Sequence, residues 1–197
     1  RTLRNALVAL RRRSLWPPWL ATVAFAALVA VYMTFATVAA ESRGVPRPAT
    51  LWLSYALGAA SVRIIGARLP DRLGPANLVA PALGLYVVAL LVTVEAADMT
   101  TFLIAALLAG IGHGYCFPVL TSQVVSRTPD AYRGSALASF TALWTLSELG
   151  VSPIFGAVAD AYGDAAMFLS AALFGTVCLA LWVLLEHRLA APAASPQ

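Results

Sequence analysis

The sequence has no lysine, two cysteines and two histidines, and only 11% of its 197 residues are charged. A soluble domain of this length places about a quarter of its residues as charge, so water cannot be this chain's only solvent. Cys116 and Cys178 both fall inside apolar stretches, where they read as small buried hydrophobes and not as a disulfide or metal pair. No Gly-Lys-Ser/Thr loop is present to cradle a nucleotide phosphate, which excludes ATP hydrolysis here. No Gly-x-Ser-x-Gly elbow offers a serine nucleophile, and no His, Cys and carboxylate cluster has metal-ligand spacing. The sequence therefore predicts no cofactor and no metal. A membrane-embedded enzyme would need a paired nucleophile and base, and neither is found.

What the chain has in quantity is apolar residues: 60% are hydrophobic and the mean hydropathy is +0.81. They arrive in six blocks, at 16–40, 49–69, 76–95, 101–124, 135–159 and 164–185. A block of roughly 20 residues at 1.5 Å per residue matches a hydrocarbon layer of ~30 Å. Short polar connectors separate the blocks and force neighbouring helices to run antiparallel. The reading is an all-α membrane protein with six transmembrane helices over 16–186. A basic linker precedes them at 1–15, and a disordered tail follows at 187–197, rich in Ala, Pro and Ser. The first block has Arg11, Arg12 and Arg13 before it, as a signal peptide would, but its apolar run is too long and five more follow.

Arginine placement predicts orientation. With both termini cytoplasmic, ten arginines face that side and only Arg43 and Arg47 the other, leaving Arg63 within a span. That is the positive-inside bias, and it explains the net charge of +4 without a nucleic-acid partner. Leu3, Leu7 and Leu10 share a helical face, so the basic start either lies along the anionic inner leaflet or is a flexible linker. The chain opens on Arg1, which suggests processing or a longer parent.

An internal repeat is visible. Asp71 and Gly74 follow the second block, and Asp160 and Gly163 follow the fifth, both with the spacing Asp-x-x-Gly at a helix-to-helix turn. The two turns fall on opposite sides of the membrane, so they either mark an inverted three-plus-three repeat or are two unrelated glycine turns.

The stretch Gly66-Ala67-Arg68-Leu69-Pro70-Asp71-Arg72-Leu73-Gly74 resembles the cytoplasmic loop signature of the major facilitator superfamily. The fourth block is similar to that family in Gly110, Gly112, Gly114, Phe117 and Pro118. Pro129 and Arg133-Gly134 match the next loop. Gly150-Val151-Ser152-Pro153-Ile154-Phe155-Gly156 resembles the Gly-Pro segment of its efflux members, where Pro153 and Gly156 bend the helix. There are departures: Ala67 stands where the signature has glycine, Pro75-Ala76-Asn77 replaces a basic cluster, and Ser152 replaces a glycine.

The order of these features implies the second half of a twelve-helix carrier, whose partners are an N-terminal six-helix half, the lipid bilayer and a small-molecule substrate. It further implies proton-coupled efflux by alternating access at a multi-pass site in a bacterial inner membrane. Gly66, Asp71, Arg72 and Gly74 would form a gating loop, with Asp71 touching a helix end of the other half. The competing class is a non-transporting scaffold or an inactive fragment lacking its partner.

Inside the spans, Glu148 is the clearest polar signal. Thr141, Thr145 and Ser152 lie at helical spacings from it and make one polar stripe. A carboxyl at this depth costs ~2.5–3.5 kcal/mol on insertion scales. It therefore either serves proton coupling or a cationic substrate, or is a neutral hydrogen-bonded packing group. His113, on a face with Phe117 and Thr121, is either a proton-exchanging group or a packing residue. Arg63 snorkels to the headgroups or partners an anion. Tyr32 and Tyr55 line a cavity or serve helix packing. Gly58, Gly84 and Gly175 are expected to allow close helix approach.

Overall fold

The computed structural model describes residues 11–189. A 3-10 turn, Arg13–Leu15, leads into α1, Trp16–Ser42, whose first turn holds Pro17 and Pro18. Proline is tolerated there because those N–H groups have no helical acceptor. α2 runs Leu51–Ile64, behind a 3-10 turn at Pro48–Thr50. α3 is the short Leu69–Leu73, and α4 spans Pro75–Glu95. α5 is Met99–Ser126, α6 Arg133–Tyr162 and α7 Asp164–Leu189.

Five of these helices are long and apolar enough to cross a membrane. The second differs from the sequence reading. It is helical for 14 residues, about 21 Å, and reaches about 27 Å only with the 3-10 turn in front. The apolar run continues through Ile65 to Leu69, but Pro70 has no N–H to offer the Gly66 carbonyl. Leu69 N–H takes that carbonyl instead, at 2.9 Å, and the helix ends. At the other end of the chain, α7 continues to Leu189, past the boundary drawn at 187. The basic start at 1–10 and the tail from 190 lie outside the described residues.

The helices form an inverted repeat, α1–α2–α4 and α5–α6–α7, with an exchange between the triplets. α2 packs on α5 of the second triplet, and α6 packs chiefly on α1 of the first. α4 and α7 lie together behind them, α4 against α5 and α7 against α1. The front layer therefore reads α2, α5, α1, α6. The two Asp-x-x-Gly turns share one geometry. Gly74 has φ +82° and donates its N–H to Pro70 O at 3.0 Å; Gly163 has φ +87° and donates to Ala159 O at 2.8 Å. Only glycine adopts that left-handed backbone at low cost.

Arginines repeat the symmetry. Arg43, just past the end of α1, donates from Nη1 to Thr93 O (2.8 Å) and Ala96 O (2.6 Å) at the end of α4. Its Nε reaches Asp164 Oδ2 at 3.0 Å, at the start of α7. Arg127, just past the end of α5, grips Glu186 near the end of α7 with both terminal nitrogens and reaches Ser14 O at 3.3 Å, before α1. Each arginine thus ties three helices at one end of the bundle. Apart from Arg43 and Arg47, the described arginines lie at or within a turn of the Arg127 end, while Glu41, Glu95, Asp98, Asp160 and Asp164 gather at the Arg43 end.

Close approach is concentrated in α5. A Cβ at Gly110 would overlap the Tyr55 backbone, and one at Gly58 would meet the Leu107 carbonyl, so α2 and α5 touch backbone to backbone. Gly112 instead faces Ala82 and Tyr86 of α4. Gly175 lets α7 approach Leu28 and Val87, as expected. Gly84 does not behave so: its nearest neighbour would be Leu179 Cδ2 at 4.0 Å, an ordinary contact.

Candidate functional site

Two places in the spans gather most of the candidate polar residues. The first is a groove of about 500 Å³ between α1 and α6, lined by Ala30, Met33, Thr34, Thr145, Glu148 and Ser152, with Leu149 and Pro153 completing it. Glu148 is half-buried. Among the described residues it makes no ion pair; the pairs formed are Arg43–Asp164, Arg127–Glu186 and Arg133–Asp130. Ser152 spends its hydroxyl on the Glu148 backbone carbonyl at 3.0 Å, so it faces its own helix. Pro153 lacks the N–H that would bond the Leu149 carbonyl, which leaves one backbone acceptor in the groove wall. α6 nevertheless remains one continuous helix through Pro153 and Gly156.

The second place is an aromatic cluster at the centre of the unit. His113 Nδ1 lies 2.5 Å from the Tyr55 hydroxyl, which is 3.3 Å from the Tyr86 hydroxyl. Tyr32 stacks on Tyr55 at 6.1 Å, and its buried hydroxyl has no hydrogen-bond partner. Phe25 and Trp144 flank His113 at 5.5 and 6.3 Å. Buried polar groups in hydrocarbon need such partners, and the Tyr55–His113 bond supplies one across the α2–α5 contact that Gly58 and Gly110 make close.

The polar stripe of α6 is therefore only partly one site. Thr145, Glu148 and Ser152 share the groove; Thr141 is exposed outside it, with its hydroxyl on Leu137 O at 3.2 Å. Tyr32, Tyr55 and His113 belong to the aromatic cluster, and Tyr32 is wholly buried. Arg63 is exposed in the last turn of α2 and lines a separate cleft of about 220 Å³ with Gly66, Tyr115 and Pro118. Asp71 and Arg72 are exposed on α3, and Gly74 forms the turn behind them.

Sequence reasoning missed Thr34, Met33, Trp144 and Tyr86. α1 is apolar all round, so nothing marked Thr34 as facing α6. Trp144 did carry a signal: it stands one helical turn before Glu148, at the i, i+4 spacing that places both on one face.

The sequence has relatives among known proteins. The sequence profile of the Major Facilitator Superfamily matches residues 19–197. The chain belongs to that superfamily. It is 32% identical over 175 residues to the MFS-type transporter YhhS of Salmonella typhi, a match covering 85% of this chain and 41% of that protein. A Pseudomonas aeruginosa MFS-type transporter is 35% identical over 158 residues, covering 79% of this chain and 39% of the relative. A Burkholderia mallei MFS-type transporter is 38% identical over 87 residues, covering 44% of this chain and 21% of its own length. The chain thus spans about two fifths of the length of the first two relatives. With its apolar helices, the family makes this a multi-pass membrane protein of the transporter class, in an inverted-repeat half.

Proposed function

We propose that this chain is the second six-helix half of a secondary carrier that moves a small solute by alternating access. It works against a partner half supplied by the same polypeptide or by another, with both termini of the six-helix unit on the cytoplasmic side. Transport is efflux coupled to protons, and Glu148 is the coupling group. The observation that carries this reading is the Glu148 carboxylate in an open groove of about 500 Å³, without an ion pair among the described residues. A carboxylate at this depth is stabilised by a cation from outside the unit or by a proton. A group that must exchange one for the other is what a coupled carrier needs. The α6 helix supports the reading as well. It is held mainly by α1, with less from α7 and α5, and its outward residues Leu146 and Ile154 are more than 60% exposed. In this role Asp71 and Arg72 meet helix ends of the partner half in one access state and release them in the other, with Gly66 and Gly74 shaping the loop. Thr145 and Ser152 support Glu148, and Thr141, Tyr32, Tyr55, His113 and Arg63 line or brace the path.

The test uses Thr145→Cys in the assembled carrier, in membrane vesicles of both orientations. The native cysteines are buried and contribute little background. The expected result is labelling by an impermeant maleimide from either side, with the favoured side changing between pH 6 and pH 8. Adding Glu148→Gln abolishes the change. Labelling from one side alone, at equal rates at both pH values, would sink the carrier reading in favour of a scaffold.

A further inference from the structure

A cleft of about 220 Å³ lies between α4 and α7, at the Arg127 end of the bundle. Asn77, Ala80, Trp182, Val183, Glu186 and His187 line it, with Ala76 beside them. It belongs to the back layer, away from the Glu148 groove, and the carrier reading makes no use of it. α4 has 21 residues, about 31 Å at 1.5 Å per residue, which matches a hydrocarbon layer of ~30 Å. Its first turn, and the cleft with it, therefore lie at the level of the lipid headgroups.

The cleft gathers donors for an anion. Trp182 is 5% exposed, and its indole N–H has no hydrogen-bond partner among the described residues. Such a group is costly to bury, above all in hydrocarbon. Ala76 stands in the first turn of α4, which no side chain caps, and backbone N–H groups at a helix start attract anions. His187, exposed at the mouth, adds a ring nitrogen. Acceptors are present too. Pro81 has no N–H for the Asn77 carbonyl one turn before it. Glu186 keeps lone pairs on the oxygens that Arg127 grips, and that arginine offsets its charge.

We infer that this cleft binds a membrane phospholipid whose headgroup joins the phosphate to a hydrogen-bond donor, as an ethanolamine or glycerol headgroup does. The phosphate accepts from Trp182, His187 and the first turn of α4. The amine or hydroxyl donates to the Asn77 carbonyl or to Glu186. The indole nitrogen is closed to water, so a small rotation of the ring into the cleft brings it to the phosphate. An acyl chain continues along the seam between the two helices, over Ala80 and Val183. Seven residues on from Asn77, about 10 Å along the axis, Gly84 keeps that seam open. A Cβ there would meet only Leu179 Cδ2, at 4.0 Å. This apolar seam selects a lipid over free phosphate, and the acceptors select against a choline headgroup, which has no N–H or O–H to give.

The probes are dioleoyl phosphatidylethanolamine and the choline lipid with the same chains. Each is titrated against the assembled protein in dodecyl maltoside, and the bound lipid is counted by native mass spectrometry. One ethanolamine lipid is expected to bind about tenfold more tightly than the choline lipid, the scale of one hydrogen bond to a charged group. Trp182→Phe keeps the ring's packing and removes only the N–H, and it weakens the ethanolamine lipid about tenfold. Gly84→Leu fills the path of the chain but leaves the headgroup contacts, so it weakens both lipids alike. Excess inorganic phosphate does not displace the lipid. Equal affinity for the two lipids, an unchanged affinity in Trp182→Phe, an unchanged affinity in Gly84→Leu, or displacement by inorganic phosphate each overturns the site.

Discussion

Arg43→Gln tests the tie that fixes the unit at one end. Arg43 satisfies carbonyls of the last turn of α4, with Nη1 at 2.8 Å from Thr93 O, 3.3 Å from Val94 O and 2.6 Å from Ala96 O. Carbonyls at a helix end lack the usual i+4 donor, though Thr93 O also accepts the Ala96 N–H at 3.3 Å. The same side chain holds Asp164 Oδ2 through Nε and Nη2, both at 3.0 Å, and lies 5.7 Å over the Phe102 ring. Breaking a fully buried pair by removing one partner costs ~3–5 kcal/mol. Here the side chains are 18% and 34% exposed, so water re-solvates part of what is lost and about 3 kcal/mol is expected. Asp164→Asn removes only the ionic part, about 1 kcal/mol on the scale of partly exposed pairs. Its carbonyl neighbours keep their donor. The double variant should cost about 1 kcal/mol less than the sum of the two. Reversible unfolding in mixed detergent micelles, followed by tryptophan fluorescence, measures all three. The reasoning is refuted if Arg43→Gln costs no more than Asp164→Asn, since the carbonyl contacts would then contribute nothing.

Two other measurements bear on the helix contacts and ends. Gly110→Ala forces a Cβ onto the Tyr55 backbone, and the same unfolding assay should register a loss of about 2 kcal/mol, within the usual cost of overpacking. Gly84→Ala, where the space is open, should change stability by less than about 0.5 kcal/mol; equal losses at both sites would contradict the close contact. Asp98 caps α5, and the Thr101 backbone N–H, then the Thr101 hydroxyl, hold its carboxyl below the usual carboxylate range. A depressed folded-state pKa gives stability that is present above the unfolded value and lost as pH falls through the folded one. Protection from hydrogen exchange in the first turn of α5, taken against the intrinsic rate at each pH, should therefore fall as pH drops below about 4, and Asp98→Asn should flatten that response.

The apolar blocks made the six helices legible, because spanning length is written directly in hydropathy. The Asp-x-x-Gly spacing made the inverted repeat legible, because only a glycine with positive φ turns the chain so sharply there. Hydropathy could not show where α2 stops. Ile65 and Leu69 prolong the apolar signal, while Pro70 removes the hydrogen bond that would carry the helix through them. Nor could it show which glycines lie at contacts. Gly58 and Gly84 are alike in the sequence, yet one meets the α5 backbone and the other an open flank. Periodicity on α6 put Thr141, Thr145, Glu148 and Ser152 on one stripe, and the groove takes Thr145, Glu148 and Ser152 of it. The stripe spans three turns and outlasts the short stretch over which α1 and α6 enclose the groove.

The exchange between the triplets explains why Glu148 stands without a cation. In each triplet the middle helix leaves its own set and leans on the first helix of the other, α2 on α5 and α6 on α1. The arginines that tie the unit lie just past the ends of those first helices, on Arg43 and Arg127. They face backward, to α4 and α7, where Asp164 and Glu186 wait. Each arginine of the tie is thus paired with an acid of α7 at its own end of the bundle. The symmetry that neutralises charge at both ends of the bundle leaves Glu148, mid-span on α6, without an ion pair among the described residues.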